Sequence, residues 1–300
     1  VHHPFHPFEV HRTRAPLYAL STLNGTVIAG SGDGAVLQWS PADPERIHLV
    51  AQLPSPVFAL CALGVHAFAA GTSVGELFIV DLSARKALQR LAAHASAIHA
   101  IATLGPDRMA TAGADGRLAV WMRQGGSWTM QRSMPITDAK LRGLSVSADG
   151  EWLALACGDG SVRLLDTVLF NEAGTFSGHE GGANCVAFHP QKAVLLSGGK
   201  DGHLRAWSMR EPKQELLSVP AHRSALYMIA FDPIGQRCAT ASRDKTAKVW
   251  DARALEPVQR LDARAGGHAH SVNALAWIGD TLITAGDDRR LIRWSPDQNG

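Results

Sequence analysis

The chain has 300 residues, 46% of them hydrophobic, and a formal net charge of +2. That composition can build a sizeable core, which excludes a disordered chain, and the near balance of charge offers no bulk attraction to nucleic acid or a lipid surface. No apolar run reaches the roughly 18 residues a membrane-spanning helix needs, and no charged-then-apolar leader follows Val1.

The first predicted element is an extended arm, VHHPFHPFEVH. It carries His2, His3, His6 and His11, and imidazole is a common metal ligand. The spacing matches no compact zinc pattern and the prolines favour an extended chain, so no metal site is expected there. Next comes GSGDG, residues 30–34. A phosphate cradle would need a helix to follow. Alternating AVLQWS follows instead, which makes the glycines a hairpin turn with Gly34 at positive φ.

From there one pattern returns down the chain. AGSGDGAVLQWS ends at Trp39–Ser40, AAGTSVGELFIVD at Val80–Asp81 and TAGADGRLAVWM at Trp121–Met122. LACGDGSVRLLD ends at Leu165–Asp166, LSGGKDGHLRAWS at Trp207–Ser208, TASRDKTAKVWD at Trp250–Asp251 and TAGDDRRLIRWS at Trp294–Ser295. The spacings at the Trp position are 41, 41, 44, 42, 43 and 44 residues. A period near 43 over the whole chain rules out two unrelated domains and predicts a single repeat domain over residues 1–300.

Each unit reads as an apolar segment such as CVAFHP, a turn, a second apolar segment such as VLLSGG, a tight turn, an alternating strand ending near the Trp, and a more polar strand such as PVQRLD. That is four short strands with turn residues between them, and no sustained helical period intervenes. A lone four-stranded sheet cannot cover both its faces, whereas radial stacking buries both and leaves short edges. The last unit stops at Trp294 with only Ser295 to Gly300 beyond it, while PFEVHRTR, residues 7–14, belongs to no unit. An open ring would leave an unpaired edge, so Phe8 to Arg12 are expected to pair with Leu291 to Trp294. Cys61, Cys157, Cys185 and Cys238 are scattered through apolar runs without a CxxC pair, which reads as small buried side chains in a reducing compartment.

Four units share a polar set. A His lies about twenty residues before an Asp, and a Ser or Thr lies four before it: His94, Thr111, Asp115 and Trp121; His179, Ser197, Asp201 and Trp207; His222, Thr240, Asp244 and Trp250; His268, Thr284, Asp288 and Trp294. Units one, two and four lack the His and the hydroxyl together. At the matching positions they carry Ala29 and Asp33, then Val74, then Leu155 and Asp159, and Trp39 shows that the Trp can occur without them. A buried indole N–H needs an acceptor, a hydroxyl supplies one, and the hydroxyl can donate to His, whose other nitrogen donates to Asp. An unpaired buried polar group costs roughly 1–3 kcal/mol, so partial sets are disfavoured. Ser/Thr–His–Asp also describes a hydrolase triad. Four equivalent copies, each behind a Trp and with no GxSxG elbow, point instead to a structural clamp.

The Asp–six–Trp spacing, the Gly-His pairs Gly178–His179 and Gly267–His268, and Trp250–Asp251 resemble WD40 repeats over residues 10 to 295. The resemblance implies an all-β, seven-bladed β-propeller of four-stranded antiparallel blades, the last closed by the N-terminal strand. It implies that the polar set ties the loop before each inner strand to the turn between the middle strands. It also implies binding at the rim of the channel, through positions three and five after the loop His and the residue before the turn Asp. On this chain those are Pro16, Tyr18 and Gly32; Pro56, Phe58 and Ser73; Ala97, His99 and Ala114; Lys140, Arg142 and Gly158; Gly182, Asn184 and Lys200; Ala225, Tyr227 and Arg243; Ser271, Asn273 and Asp287. Both tyrosines of the chain fall in this set. Lys140, Arg142, Lys200 and Arg243 spread over units four to six, against the single extra carboxylate Asp287. Aromatic and Arg side chains are frequent interface anchors. The expectation is a non-catalytic, cytoplasmic, monomeric scaffold without cofactor, capturing an acidic partner segment with an apolar anchor. The alternatives are a nucleic-acid or small-anion binder, with phosphates on the basic residues and Tyr227 stacking on a base, and a propeller enzyme, for which only His99 and Asp287 stand at the mouth.

Overall fold

In every repeat the second strand is buried at all but its first residue, from Thr26–Ser31 in the first to Thr281–Gly286 in the last. The fourth strand, for example Lys86–Ala92 or Glu172–Ser177, is mostly exposed. That gradient is what radial stacking of sheets produces, with both faces covered near the axis and open at the rim. The computed structural model describes residues 4–211 and 213–296, without the side chain of Glu9. His2 and His3 lie outside the described residues.

The repeats form seven four-stranded antiparallel sheets. Their inner strands are Leu17–Leu23, Val57–Ala62, Ile98–Thr103, Leu141–Val146, Ala183–Phe188, Leu226–Phe231 and Val272–Ile278. Each packs against the next, and the seventh returns to the first, so the ring is closed. The core is a set of clusters between blades, such as Leu17, Ala29 and Trp39 of blade 1 with Ala274, Ile283 and Leu291 of blade 7. Close approach requires a small residue at the fifth position of each second strand: Gly30, Gly71, Ala112, Ala156, Gly198, Ala241 and Ala285. A Cβ on Gly30 would lie 2.6 Å from Val57 Cγ1 of the next blade, and one on Gly71 would lie 2.6 Å from Ile98 Cγ2.

The N-terminal strand, Phe5–Arg12, supplies the outer strand of blade 7. It pairs antiparallel with Arg290–Pro296 from Arg12↔Arg290 to Phe5↔Pro296, with a bulge between Pro7 and Glu9. Of the expected Phe8–Arg12, Phe8 is the bulge residue and does not pair, and the ladder continues beyond it through Pro7, His6 and Phe5, where Phe5 is an anchor. Its ring is buried, edge-on to Trp277 at 5.9 Å, with the Arg237 guanidinium 5.2 Å from its centroid. Gln259 of blade 6 donates to the Phe5 carbonyl at 2.8 Å and accepts from its N–H. The four cysteines lie on strands and are unpaired by disulfides. No helix is long and apolar enough to cross a membrane.

Candidate interaction surface at the channel mouth

Each inner strand loses register at the same place. The ladder skips from Leu17 to Ala19, Val57 to Ala59, Ile98 to Ala100, Leu141 to Gly143, Ala183 to Cys185, Leu226 to Met228 and Val272 to Ala274. The extra residue in each case is Tyr18, Phe58, His99, Arg142, Asn184, Tyr227 or Asn273. A bulge residue leaves the pleat and is re-aimed. Here the seven are aimed at one place, a mouth of about 480 Å³ lined by these residues and Asp287. A narrower channel of about 300 Å³ continues below it, walled by Ala19, Ala59, Ala100 and Gly143 among others.

The mouth is chemically lopsided. Tyr18 meets Phe58 edge-on at 5.2 Å, and Phe58 stacks on His99 at 6.1 Å, so blades 1 to 3 present a continuous aromatic arc. Burial pushes the His99 imidazole down to a pKa of about 4, helped by the charges of Arg142 and Lys140, so the ring is neutral at pH 7. Burial, with Asp287 nearby, raises the Tyr18 phenol. Arg142 has no carboxylate partner among the described residues. Asn184 Nδ2 donates to the Leu226 carbonyl at 2.9 Å, and Asn273 Nδ2 donates to the Leu17 carbonyl at 2.9 Å and to Asp287 Oδ1 at 2.7 Å. These amides lock blade 5 to blade 6 and blade 7 to blade 1. Three buried polar atoms of the ring, His99 Nε2, Arg142 Nε and Asn184 Oδ1, have no hydrogen-bond partner among the described residues.

The other two positions of each blade, Asp287 excepted, form a shelf outside the mouth. They are joined by a backbone hydrogen bond in every blade: the N–H groups of Gly32, Ser73, Ala114, Gly158, Lys200, Arg243 and Asp287 donate to the carbonyls of Pro16, Pro56, Ala97, Lys140, Gly182, Ala225 and Ser271 at 2.7 to 3.0 Å. Lys140, Lys200 and Arg243 therefore stand on this shelf and do not line the mouth; Arg142 alone of the four basic residues does. Ala97, Ala225 and Asn184 are buried, although the rim pattern marked them as exposed.

The polar clamps are complete in four blades. Trp121 Nε1–H donates to Thr111 Oγ1 at 3.0 Å, His94 Nε2 meets that hydroxyl at 2.8 Å, and His94 Nδ1 meets Asp115 at 3.0 Å. The corresponding distances are 2.8, 2.7 and 3.1 Å for Trp207, Ser197, His179 and Asp201. They are 2.9, 2.7 and 3.1 Å for Trp250, Thr240, His222 and Asp244. They are 3.0, 2.8 and 2.7 Å for Trp294, Thr284, His268 and Asp288. The Asp also accepts a backbone N–H from the residue after the His: Ala95, Glu180, Arg223 or Ala269. That bond ties the loop to the turn. Burial lowers the pKa of His179 and His222 despite their Asp partners. For Asp201, Asp244 and Asp288 burial acts to raise the pKa, but the hydrogen bonds they accept outweigh it and the net shift is downward. All four hydroxyl residues are fully buried, so none is placed to attack a substrate.

Two local solutions escaped the sequence pattern. In blade 4, Thr137 takes the His position and donates to Asp159 at 2.8 Å. In blade 1, with Ala29 in place of the hydroxyl, Trp39 Nε1 donates to the Pro44 carbonyl at 3.0 Å. Blade 2 fills the same positions with Leu53, Ala70, Val74 and Val80, an apolar set. The signal for Thr137 was its place four residues before an inner strand; Pro44 carried none. Among the described residues no group of His, Cys, Asp or Glu side chains has metal-binding geometry.

The repeat family described as WD domain, G-beta repeat matches residues 130–166, 170–208 and 213–251. The chain is 27% identical to telomerase protein component 1 of Mus musculus over 232 residues, 76% of this chain and 8% of that protein. It is 33% identical to transducin beta-like protein 3 of Bos taurus over 146 residues, 48% of this chain and 18% of that protein. It is 23% identical to cilia- and flagella-associated protein 52 of Mus musculus over 274 residues, 90% of this chain and 43% of that protein. The chain thus spans less than half of each. With matched repeats, a closed ring of seven like blades and clamps of one design, the chain carries WD40 repeats and folds as a seven-bladed β-propeller.

Proposed function

We propose that this propeller is a non-catalytic scaffold that captures a segment of another protein at the channel mouth. WD40 propellers generally act as protein-interaction scaffolds. The observation that carries the reading is the ring of seven bulge residues, which gathers an aromatic arc, an unpaired Arg and two inter-blade amides at one opening. An apolar side chain of the partner rests on Tyr18 and Phe58, and an acidic side chain meets Arg142, with Lys140, Lys200 and Arg243 on the shelf behind it. Aromatic rings bring a large apolar area at low entropic cost, and a desolvated Arg–carboxylate pair orients the segment. The four unpaired thiols suit a cytoplasmic protein.

The test is affinity capture from native lysate with wild type beside Tyr18→Ala/Phe58→Ala. The double variant is expected to lose the partners that wild type retains, with little change in melting temperature, since both rings lie at the mouth and outside the blade-to-blade clusters. Retention of the same partners by the variant would refute the reading. Capture of nucleic acid with a steep salt dependence would favour the basic shelf as a phosphate surface instead.

A further inference from the structure

Blade 1 has lost its clamp, and a cavity stands beside the place. The cavity holds about 370 Å³ and lies between the segment that follows the N-terminal strand and the outer half of blade 1. That is a ligand-sized space by the roughly 300–1,000 Å³ standard of small-molecule sites. Its wall includes Thr13 and Asp33, which occupy the positions of the clamp's His and Asp. Neither reaches across. Thr13 Oγ1 donates to the Ala15 carbonyl at 2.8 Å. Asp33 is occupied within its own turn, accepting from the Ser31 hydroxyl and, at 3.2 Å, from the Ala35 N–H.

The rest of the lining divides by chemistry. The floor is aliphatic, from Leu37, Ile47 and Leu49, and Leu49 is 52% exposed on the outer strand of the blade. The edge carries Arg12 and Arg14. Neither makes an ion pair among the described residues, and both side chains are exposed. Two guanidiniums against the single carboxylate Asp33 leave one positive charge in excess at the mouth of an apolar hollow. A cation is repelled, and a fully hydrophilic anion would waste the floor.

We propose that this flank cavity binds an aliphatic carboxylate, with its methylenes on Leu37, Ile47 and Leu49 and its carboxylate held by Arg12 and Arg14. A planar guanidinium matches a carboxylate bidentately, and each buried methylene contributes about 0.8 kcal/mol. The same chemistry comes from two sources, a free fatty-type acid or an acidic–aliphatic segment of a partner chain, and the probes separate them. The site is independent of the channel mouth.

The experiment is titration calorimetry of the full chain with decanoate and, separately, with the capped tripeptide Leu-Glu-Leu. Wild type is expected to bind at least one of them saturably. Decanoate alone identifies a free acid, and the peptide, alone or more tightly, identifies a protein segment. Arg12→Ala/Arg14→Ala, both on exposed side chains, should weaken binding about tenfold or more, equivalent to roughly 1.4 kcal/mol, without moving the melting temperature. Thr13→His/Ala29→Thr restores the clamp residues, fills the cavity and should abolish binding; if that variant does not fold, the arginine variant decides. Saturable binding of neither probe, or affinity unchanged in the arginine variant, overturns the proposal.

Discussion

At the residue scale, the four clamps determine how the molecule meets acid. Each joins an indole N–H, a hydroxyl, an imidazole and a carboxylate, with the hydroxyl and imidazole buried. Thr240 serves two partners at once, accepting from Trp250 and donating to His222. Thr240→Ala strands both, so the expected cost is about 1–3 kcal/mol of unfolding free energy per stranded group, read by urea titration; a loss below about 0.5 kcal/mol would show that the clamp is dispensable. The proton balance sets a direction. His179 and His222 have folded pKa values below their unfolded one, near 6.5, so the unfolded chain takes up protons more readily. Their contribution is complete above that pH and declines as pH falls through it. Asp201 and Asp288 also have depressed folded values. Their contribution is complete above the ordinary carboxylate value of about 4 and is lost below it. Stability should therefore be level from about pH 8 to 7.5, fall by about pH 5.5 and fall again below about pH 4. A urea midpoint that does not move between about pH 8 and 5 would contradict this assignment of neutral, buried imidazoles.

Among the elements, the bulged inner strand and the N-terminal strand do most to shape function. The bulge turns one residue of each inner strand into a member of the ring at the channel mouth, and the residue after it is small in most blades, Ala19, Ala59, Ala100, Gly143 and Ala274. The N-terminal strand matters through one side chain. Phe5 is 2% exposed and Phe8 is 71% exposed on the same strand. Phe5→Ala should cost about 3–5 kcal/mol, the usual range for a buried Phe, whereas Phe8→Ala should cost little. Equal effects of the two would mean that the strand is held by its ladder alone.

For the whole molecule, closure is a matter of edges. Without Phe5–Arg12, the strand Arg290–Pro296 becomes an unpaired edge with its N–H and C=O groups facing solvent, a template for another chain. Removing residues 1–12 should convert the protein to larger species in light scattering and lower its melting temperature; an unchanged size and melting temperature would show that ring packing needs no outer strand in blade 7. The inter-blade amides of Asn184 and Asn273 act at the same scale, since each holds a neighbouring blade by its backbone.

What the sequence alone determined was whatever repeats. Seven occurrences of one local pattern established the blade, the number of blades and the clamp members, because those depend on spacing within a unit of about 43 residues, whereas the rim positions came from the resemblance to WD40 repeats. Only the tertiary structure decided what depends on neighbours: the bulge that re-aims Tyr18 and Phe58, the burial that keeps His99 neutral, the Phe5 anchor, Thr137 and Pro44 as substitute partners, the separation of Arg142 from the basic shelf, and the hollow beside Asp33. Those follow from which side chains meet across blades, and contacts between residues distant in the chain leave no local period to read.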